Sequence, residues 1–189
     1  SYATPVAASL DSHYESTLKK LAELDAISNE SCVVEIGSNN GNFLQVVQKV
    51  VGKVLGIDPA SNVTAIANCR GIPTVTGFFN EDTASSISAD FGKVDLLVAR
   101  HMFAHNTMPA EMIKGVINCL APGGTFLVEN AYAVETLLHG EFDQVYHEHM
   151  FYYSASSMSR LMKNHGFDLY DIYFSNVHGG SASFFICKE

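Results

Sequence analysis

The chain has 189 residues, 47% of them hydrophobic and 16% charged, with 11 Lys and Arg against 20 Asp and Glu. That length suits a single domain with a sizeable core. A formal net charge of −9 without any basic stripe argues against nucleic acid as a main partner, and no apolar run approaches membrane-spanning length. There is no signal-peptide pattern. The four cysteines, Cys32, Cys69, Cys119 and Cys187, are widely spaced in apolar contexts and read as reduced and buried, which predicts a cytoplasmic protein.

A helix is expected over residues 9–25, capped by Ser9 or Asp11, with Leu10, Tyr14, Leu18, Leu21 and Leu24 at helical spacing. Residues 31–41, SCVVEIGSNNG, come next. An apolar run ends in Glu35 and Ile36, a turn bounded by Gly37 and Gly41 follows, and Phe43, Leu44, Val46, Val47 and Val50 then recur with helical periodicity. The stretch reads as buried strand, tight loop and helix. Glycine lets the backbone bend sharply and a ligand approach closely, and the helix start offers unpaired N–H groups. A dinucleotide fingerprint would read G-x-G-x-x-G. Here the pattern is E-x-G-x-x-x-G, whose acid would repel a pyrophosphate and suits a ligand carrying an ammonium and a sulfonium.

KVLGID over residues 53–58 reads as a second strand ending in Asp58, with Pro59 opening a helix to about Asn68. An acid at that position suits a pair of ribose hydroxyls; capping of the next helix is the competing reading. Residues 71–77 hold a short third strand. Phe78, Phe79 and Asn80 follow it, and the two rings either flank an adenine or belong to the core. After a helix near 82–89, VDLLVA at 94–99 is a fourth strand of buried parallel type, with Arg100 and His101 at its carboxyl end. A helix over 109–120, an Ala-Pro-Gly-Gly turn at 121–124 and a fifth strand over 125–130 complete an alternation of strand and helix, which implies a parallel sheet covered on both faces. A helix at 156–165, a strand at 167–174, the glycine pair at 179–180 and a last strand at 181–187 predict a closing antiparallel hairpin.

Residues 131–154 break the alternation. Within them FDQVYHEHMFYY, residues 142–153, gathers two histidines, two acids and three tyrosines. Histidine exchanges a proton near neutral pH, a carboxylate can fix its tautomer, and a tyrosine hydroxyl can donate to an oxyanion. Tyr146, His147, Glu148 and His149 are therefore candidates for a general-base site. A metal held by His147 and His149 on one side of an extended segment is a second reading, and histidines satisfied inside a loop a third.

The segments VVEIGSNNG, GIDPASNV, GIPTVTGFFN, ARHMFAHN, LAPGG, FDQVYHEHMFYYS and VHGGS, in this order, resemble the central part of the S-adenosylmethionine-dependent C-methyltransferases that act on nucleotide-linked 4-keto-deoxysugars. The resemblance runs from about Tyr2 to Ser181 and is most specific in FDxxYHEHxxYxS. It implies an α/β fold of the class I (Rossmann-like) methyltransferase type. Its mostly parallel seven-stranded sheet would end in an antiparallel hairpin, in one domain over residues 1–189. That domain divides into the N-terminal helix 9–25, a core at 31–130, a catalytic loop at 131–154 and a closing helix and hairpin at 155–189. It also implies S-adenosylmethionine as cofactor with S-adenosylhomocysteine as product, a nucleotide sugar as small-molecule substrate, and catalytic roles for Tyr146, Glu148 and His149, with Tyr2 a further site tyrosine. His149, or else His147, would remove the proton next to the ketone, Glu148 would orient a histidine, and Tyr146 would donate to the enolate oxygen. Glu35, Gly37, Ser38, Asn39, Gly41, Asp58, Pro59, Phe78, Phe79, Asn80, Arg100 and His101 would line the cofactor pocket, with no metal. Two departures stand out: Asn40 where the family more often has aspartate, and Ser183 near a position commonly held by arginine. Family members also usually carry a cysteine-rich zinc domain before this region and another α/β domain after it. An O-methyltransferase of a small molecule and a non-catalytic binding fragment remain as alternatives.

Overall fold

The computed structural model describes residues 8–188. Helix α1 (Ala8–Glu23) precedes the sheet, and the chain then alternates β1 (Cys32–Ile36), α2 (Asn42–Val47), β2 (Lys53–Asp58), α3 (Ser61–Cys69), β3 (Thr74–Thr76), α4 (Glu81–Asp90), β4 (Val94–Arg100), α5 (Pro109–Cys119) and β5 (Leu120–Ala131). A short α6 (Ala133–His139), a 3-10 turn (Phe142–Gln144), α7 (Ala155–Lys163) and the strands β6 (Phe167–Ser175) and β7 (Ser181–Lys188) follow. The seven strands form one sheet in the order β3-β2-β1-β4-β5-β7-β6. Strands β1 to β5 are mutually parallel, and β7 runs antiparallel to both β5 and β6.

Successive strand residues point to opposite faces, and two cores result. Val34, Leu97, Ala99, Phe126 and Val128 meet α4, α5 and α7 on one face, through Ile87, Met112, Ile113, Val116, Met158 and Met162. Val33, Leu96, Val98, Leu127 and Phe185 meet α1, α2 and α3 on the other, through Tyr14, Leu21, Phe43, Leu44 and Ala67. Strand order reverses between β1 and β4, the switch point at whose carboxyl edge open α/β sheets bind ligands.

Several boundaries move for local reasons. Helix α1 stops at Glu23 because Asp25 adopts a left-handed φ of 51° and the backbone closes there, Ala26 N–H donating to the Leu21 carbonyl. Helix α2 ends at Val47 although the apolar period continues to Val50, which is exposed. Pro59 does not open α3, contrary to expectation: Ala60 occupies the N-cap and Ser61 begins the helix. The 121–124 turn is a bulge inside β5, which begins at Leu120, since β4 pairing passes from Val94–Leu120 directly to Leu96–Thr125. Helix α6 was hidden in the sequence because Leu137 and Leu138 face solvent, so it shows no buried stripe. The reading of four buried cysteines is corrected as well: only Cys119 is buried, Cys32 and Cys187 are half-buried and Cys69 is exposed, and all four are free thiols.

Gly56 in β2 lies under the glycine turn. A Cβ there would collide with Ser38 Oγ and approach Thr74 Oγ1 to 2.8 Å. Gly56→Ala is therefore expected to cost about 1–3 kcal/mol through overpacking, read as a lowered midpoint in thermal or urea denaturation.

Candidate active site

Two loops and one buried charge network meet at the carboxyl edge of β1, β2, β4 and β5. The loop after β1 turns at once. Gly37 and Gly41 hold φ of 70° and 77°, and Gly37 N–H and Ser38 N–H both donate to the Ile57 carbonyl, at 2.7 and 3.1 Å. Asp58 joins this loop to the next. Its Oδ2 accepts from Asn39 N–H and its Oδ1 from Ala60 N–H, each at 2.9 Å, so the carboxylate serves both the loop and the start of α3. A carboxylate offers about four acceptor positions, which leaves lone pairs for a ligand.

Strand alternation puts Glu35, Arg100 and Glu129 on the α1–α2 face. The Arg100 guanidinium lies between the rings of Tyr14 and Phe43, 4.4 and 4.5 Å from their centres. Its Nε donates to Glu129 Oε2 at 2.9 Å, while Nη1 is 3.5 Å from Glu35 Oε1. The other Glu129 oxygen accepts from His13 Nε2 of α1 at 2.5 Å and lies 3.4 Å from His101 Nε2. One cation thus faces two buried carboxylates, and it favours Glu129. Burial would raise the Glu129 pKa, but Arg100, aided by His101 and His13, holds it well below the carboxylate range. For Glu35 burial wins over Arg100, and its pKa is pushed up to about 8. Its Oε2 is buried without a protein partner.

The second loop carries the histidines. His149 N–H donates to the Tyr146 carbonyl, so the chain folds back on itself after the 3-10 turn. The Gln144 carbonyl, an acceptor only, takes a hydrogen bond from His149 Nδ1 at 2.8 Å, which places the ring proton on that nitrogen. Nε2 is then a lone pair, and Tyr146 Oη donates to it at 2.9 Å. Burial lowers the His149 pKa, partly opposed by the Gln144 bond, and His105 and His101 lower it further. His105, in a 3-10 turn (Phe103–His105) that follows β4, lies 4.9 Å from the His149 ring at a tilt of 44° and donates from Nδ1 to the Glu148 carbonyl at 2.8 Å. Met150 N–H donates to the Ala104 carbonyl at 2.9 Å, and these contacts pin the histidine loop to the sheet edge next to the glycine turn.

A methyltransferase-domain model matches residues 8–172. The chain belongs to the methyltransferase-domain family. This domain is 35% identical over 184 residues to the C-methyltransferase NovU of Streptomyces niveus, an alignment covering 97% of the chain and 44% of that protein, so the chain spans less than half the length of this curated relative. Among solved structures it is similar to the magnesium protoporphyrin IX methyltransferase of Synechocystis PCC 6803 with bound S-adenosylhomocysteine, with TM-score 0.71 and 11% identity, covering 100% of this chain and 90% of that one. It is also similar to a methyltransferase from Thiobacillus denitrificans in complex with S-adenosylhomocysteine, with TM-score 0.61 and 16% identity, covering 90% and 91%. At these identities the likeness is one of fold, and the methyltransferase domain has the seven-stranded class I fold with its closing antiparallel strands.

The methyltransferase domain gathers Glu35, Gly37, Ser38, Asn39, Gly41, Asp58, Pro59 and His101 at one edge, with Tyr146 and His149 beside it. Other expectations are corrected. Arg100 is enclosed by Glu35, Glu129, Tyr14 and Phe43 and is spent on the network rather than on a ligand. Phe79 is buried in the core against Gly115 of α5, and Asn80 caps α4 by accepting from Thr83 N–H at 2.9 Å, whereas Phe78 stands exposed at the end of β3. The Glu148 carboxylate lies 4.0 Å from the exposed His147 Nε2, while the Gln144 and Glu148 backbone carbonyls orient His149 and His105. The His147 side chain is 90% exposed, so a base there would be solvated, and the turn between it and His149 removes the extended geometry that a shared metal needs. Among the described residues no group of three or more His, Cys, Asp or Glu is placed to hold a metal ion, and no helix is long and apolar enough to cross a membrane. Tyr2 lies outside the described residues. Sequence reasoning missed His13 and Glu129 as well as the docking role of His105. ARHMFAHN had flagged the last of these; nothing local marks the first two, which are 116 positions apart.

The glycine pair near the end of the loop region has a steric cause. A Cβ on Gly179 would meet the Glu141 carboxylate, and one on Gly180 would come within 3.0 Å of Glu135 Cβ. Both glycines also hold a positive φ, 79° and 132°, which side-chain-bearing residues rarely adopt.

Proposed function

We propose that this chain is an S-adenosylmethionine-dependent methyltransferase that transfers a methyl group to the carbon next to the ketone of a nucleotide-linked keto-sugar. The observation that carries the reading is the His149 ring: its proton is fixed on Nδ1 by the Gln144 carbonyl, its Nε2 lone pair meets the Tyr146 hydroxyl, and the pair sits at the edge where the glycine turn opens. Such an imidazole accepts a proton, and the neighbouring phenol can donate to an oxygen that becomes an enolate. The two groups satisfy each other by this hydrogen bond. With substrate present, Tyr146 turns to the carbonyl oxygen and exposes Nε2 to the acidic carbon–hydrogen bond. The C-methylation performed by the 35% identical relative favours carbon over a hydroxyl oxygen as acceptor.

The residues suit the cofactor. A buried carboxyl oxygen of Glu35 lacks a protein partner and is matched to an ammonium. Asp58 retains lone pairs for ribose hydroxyls, the turn from Gly37 to Gly41 admits a ligand against the backbone, and the exposed Phe78 offers a ring face for adenine. When bound, the cofactor supplies an electrophilic methyl on a cationic sulfur. The chain's own part is to hold the two reactants at attack distance and to remove the substrate proton. Tyr2 is a further proposed site tyrosine.

Calorimetric titration with S-adenosylhomocysteine tests the cofactor assignment. Saturable binding is expected for the wild type, weakened about ten- to a hundredfold by Asp58→Ala, the loss of charge-assisted hydrogen bonds of roughly 1.5–3 kcal/mol. Asp58→Asn, which keeps the side-chain shape, should weaken it less. Absence of wild-type binding at millimolar ligand would remove the assignment.

A further inference from the structure

We propose that His13 is a positioning residue of the cofactor pocket: by donating to Glu129 from α1, it sets how Arg100 is shared between Glu129 and Glu35, and so how Glu35 meets a cationic ligand. The inference rests on the cofactor reading above and adds to it a residue outside the pocket. Its basis is the arithmetic of the network. Glu129 is fully buried, with Arg100 Nε on one oxygen at 2.9 Å and His13 Nε2 on the other at 2.5 Å, the latter oxygen also facing His101 Nε2 at the longer distance of 3.4 Å. Glu35 has only the far side of the same guanidinium, at 3.5 Å. A buried carboxylate that loses one donor must draw more on the other. Without His13, Arg100 is drawn to Glu129 and away from Glu35.

The groups facing Glu35 are few and come from every neighbouring element: Arg100 from β4, Glu129 from β5 and Asp58 from β2. His13 and Tyr14 of α1 and His101 beyond β4 act through Arg100 and Glu129. Arg100 alone among them favours the charged form of Glu35. Burial already outweighs it, so that Glu35 titrates at about 8. A weaker Arg100 contact moves Glu35 further toward its neutral acid, which has no charge to offer an ammonium. Ligand affinity should therefore rise with pH through the Glu35 titration, and loss of His13 should move that rise to higher pH.

The test is calorimetric titration with S-adenosylhomocysteine between pH 6 and pH 8.5 on the wild type, His13→Leu, His13→Gln and Glu129→Gln. The ligand's own amine is common to all four, so differences between them report the protein. Expected for His13→Leu is an upward shift of about one pH unit in the affinity profile, equivalent to about tenfold weaker binding at pH 7. His13→Gln, which keeps a donor for Glu129, should return most of it. Glu129→Gln releases Arg100 to Glu35 and should shift the profile the other way, toward tighter binding at low pH. Because its effect has the opposite sign, it decides the matter even if His13→Leu folds poorly. Turnover by His13→Leu should show a raised KM for the cofactor with kcat little changed, since His149 is untouched. Unshifted profiles in all three variants, with wild-type binding intact, would overturn the role of His13 and leave the cofactor reading standing. A wild type that binds nothing would overturn both.

Discussion

His149→Ala is expected to lower methyl transfer by about two to four orders of magnitude, the usual worth of a positioned general base, while S-adenosylhomocysteine affinity stays within about twofold because no cofactor contact is removed. The same substitution should abolish exchange of the substrate's acidic carbon-bound hydrogen with D2O, followed by NMR without cofactor. That second readout isolates proton removal from methyl transfer. Tyr146→Phe should retain measurable exchange, since Nε2 is still present, with turnover lowered about tenfold or more through loss of an oxyanion donor. The pH profile carries a sign. Burial and the neighbouring His105 and His101 disfavour protonated His149, and the base acts in its neutral form. The acid limb of kcat should therefore lie below the ordinary imidazole value of about 6.5. A limb above that value would mean that an anion, not the Gln144 carbonyl, governs the ring. A variant as active as wild type, with exchange intact, would remove His149 as the base.

How far the sequence could be read depended on the range of the interaction. Strands β1, β2, β4 and β5 announce themselves as short stretches rich in apolar residues and bounded by turn residues, and the turn from Gly37 to Gly41 by its glycines, both with a left-handed backbone. These are local signals. The contact between Tyr146 and His149 is local in the same way, the two being three positions apart and bonded within one loop. The failures are long-range. Arg100 at the end of β4 has the composition of a ligand-binding residue, and only the pairing of Arg100 with Glu129 across neighbouring strands shows that it neutralises a buried acid. Glu129 itself sits inside an apolar strand with no local mark of function. The role of His13 requires knowing that α1 folds onto the carboxyl end of a strand more than a hundred positions away, 116 between His13 and Glu129. Residues Phe78 and Phe79 illustrate the remaining ambiguity: adjacent and chemically alike, one is 75% exposed and the other 8%, and which one turns inward is decided by the fit against Gly115 rather than by either residue's identity.

The second large effect concerns stability. Arg100→Met keeps an unbranched side chain between Tyr14 and Phe43 but removes the only guanidinium facing Glu35 and Glu129 among the described residues. Breaking a buried pair from one side costs about 3–5 kcal/mol, and for a chain of this size that corresponds to a fall in Tm of roughly 6–20 °C. Arg100→Lys should recover only part, because a single ammonium cannot reproduce the two-sided contact that the planar guanidinium makes. The pH dependence separates charge from packing. In the wild type Glu129 is held far below the usual carboxylate range, so its contribution is present above the unfolded carboxylate pKa and is lost as pH falls through the folded value. In Arg100→Met both acids are buried without their cation: the folded pKa of Glu129 rises above its unfolded value, and that of Glu35, already raised to about 8 in the wild type, climbs further. The folded variant then binds more protons than its unfolded chain, and it gains stability as pH falls from 7 toward 5. The gap in Tm between variant and wild type should therefore narrow on acidification, measured by differential scanning calorimetry at pH 5, 6 and 7. A gap independent of pH would mean that the loss came from the aromatic clamp, and that the two carboxylates were never the reason Arg100 is buried.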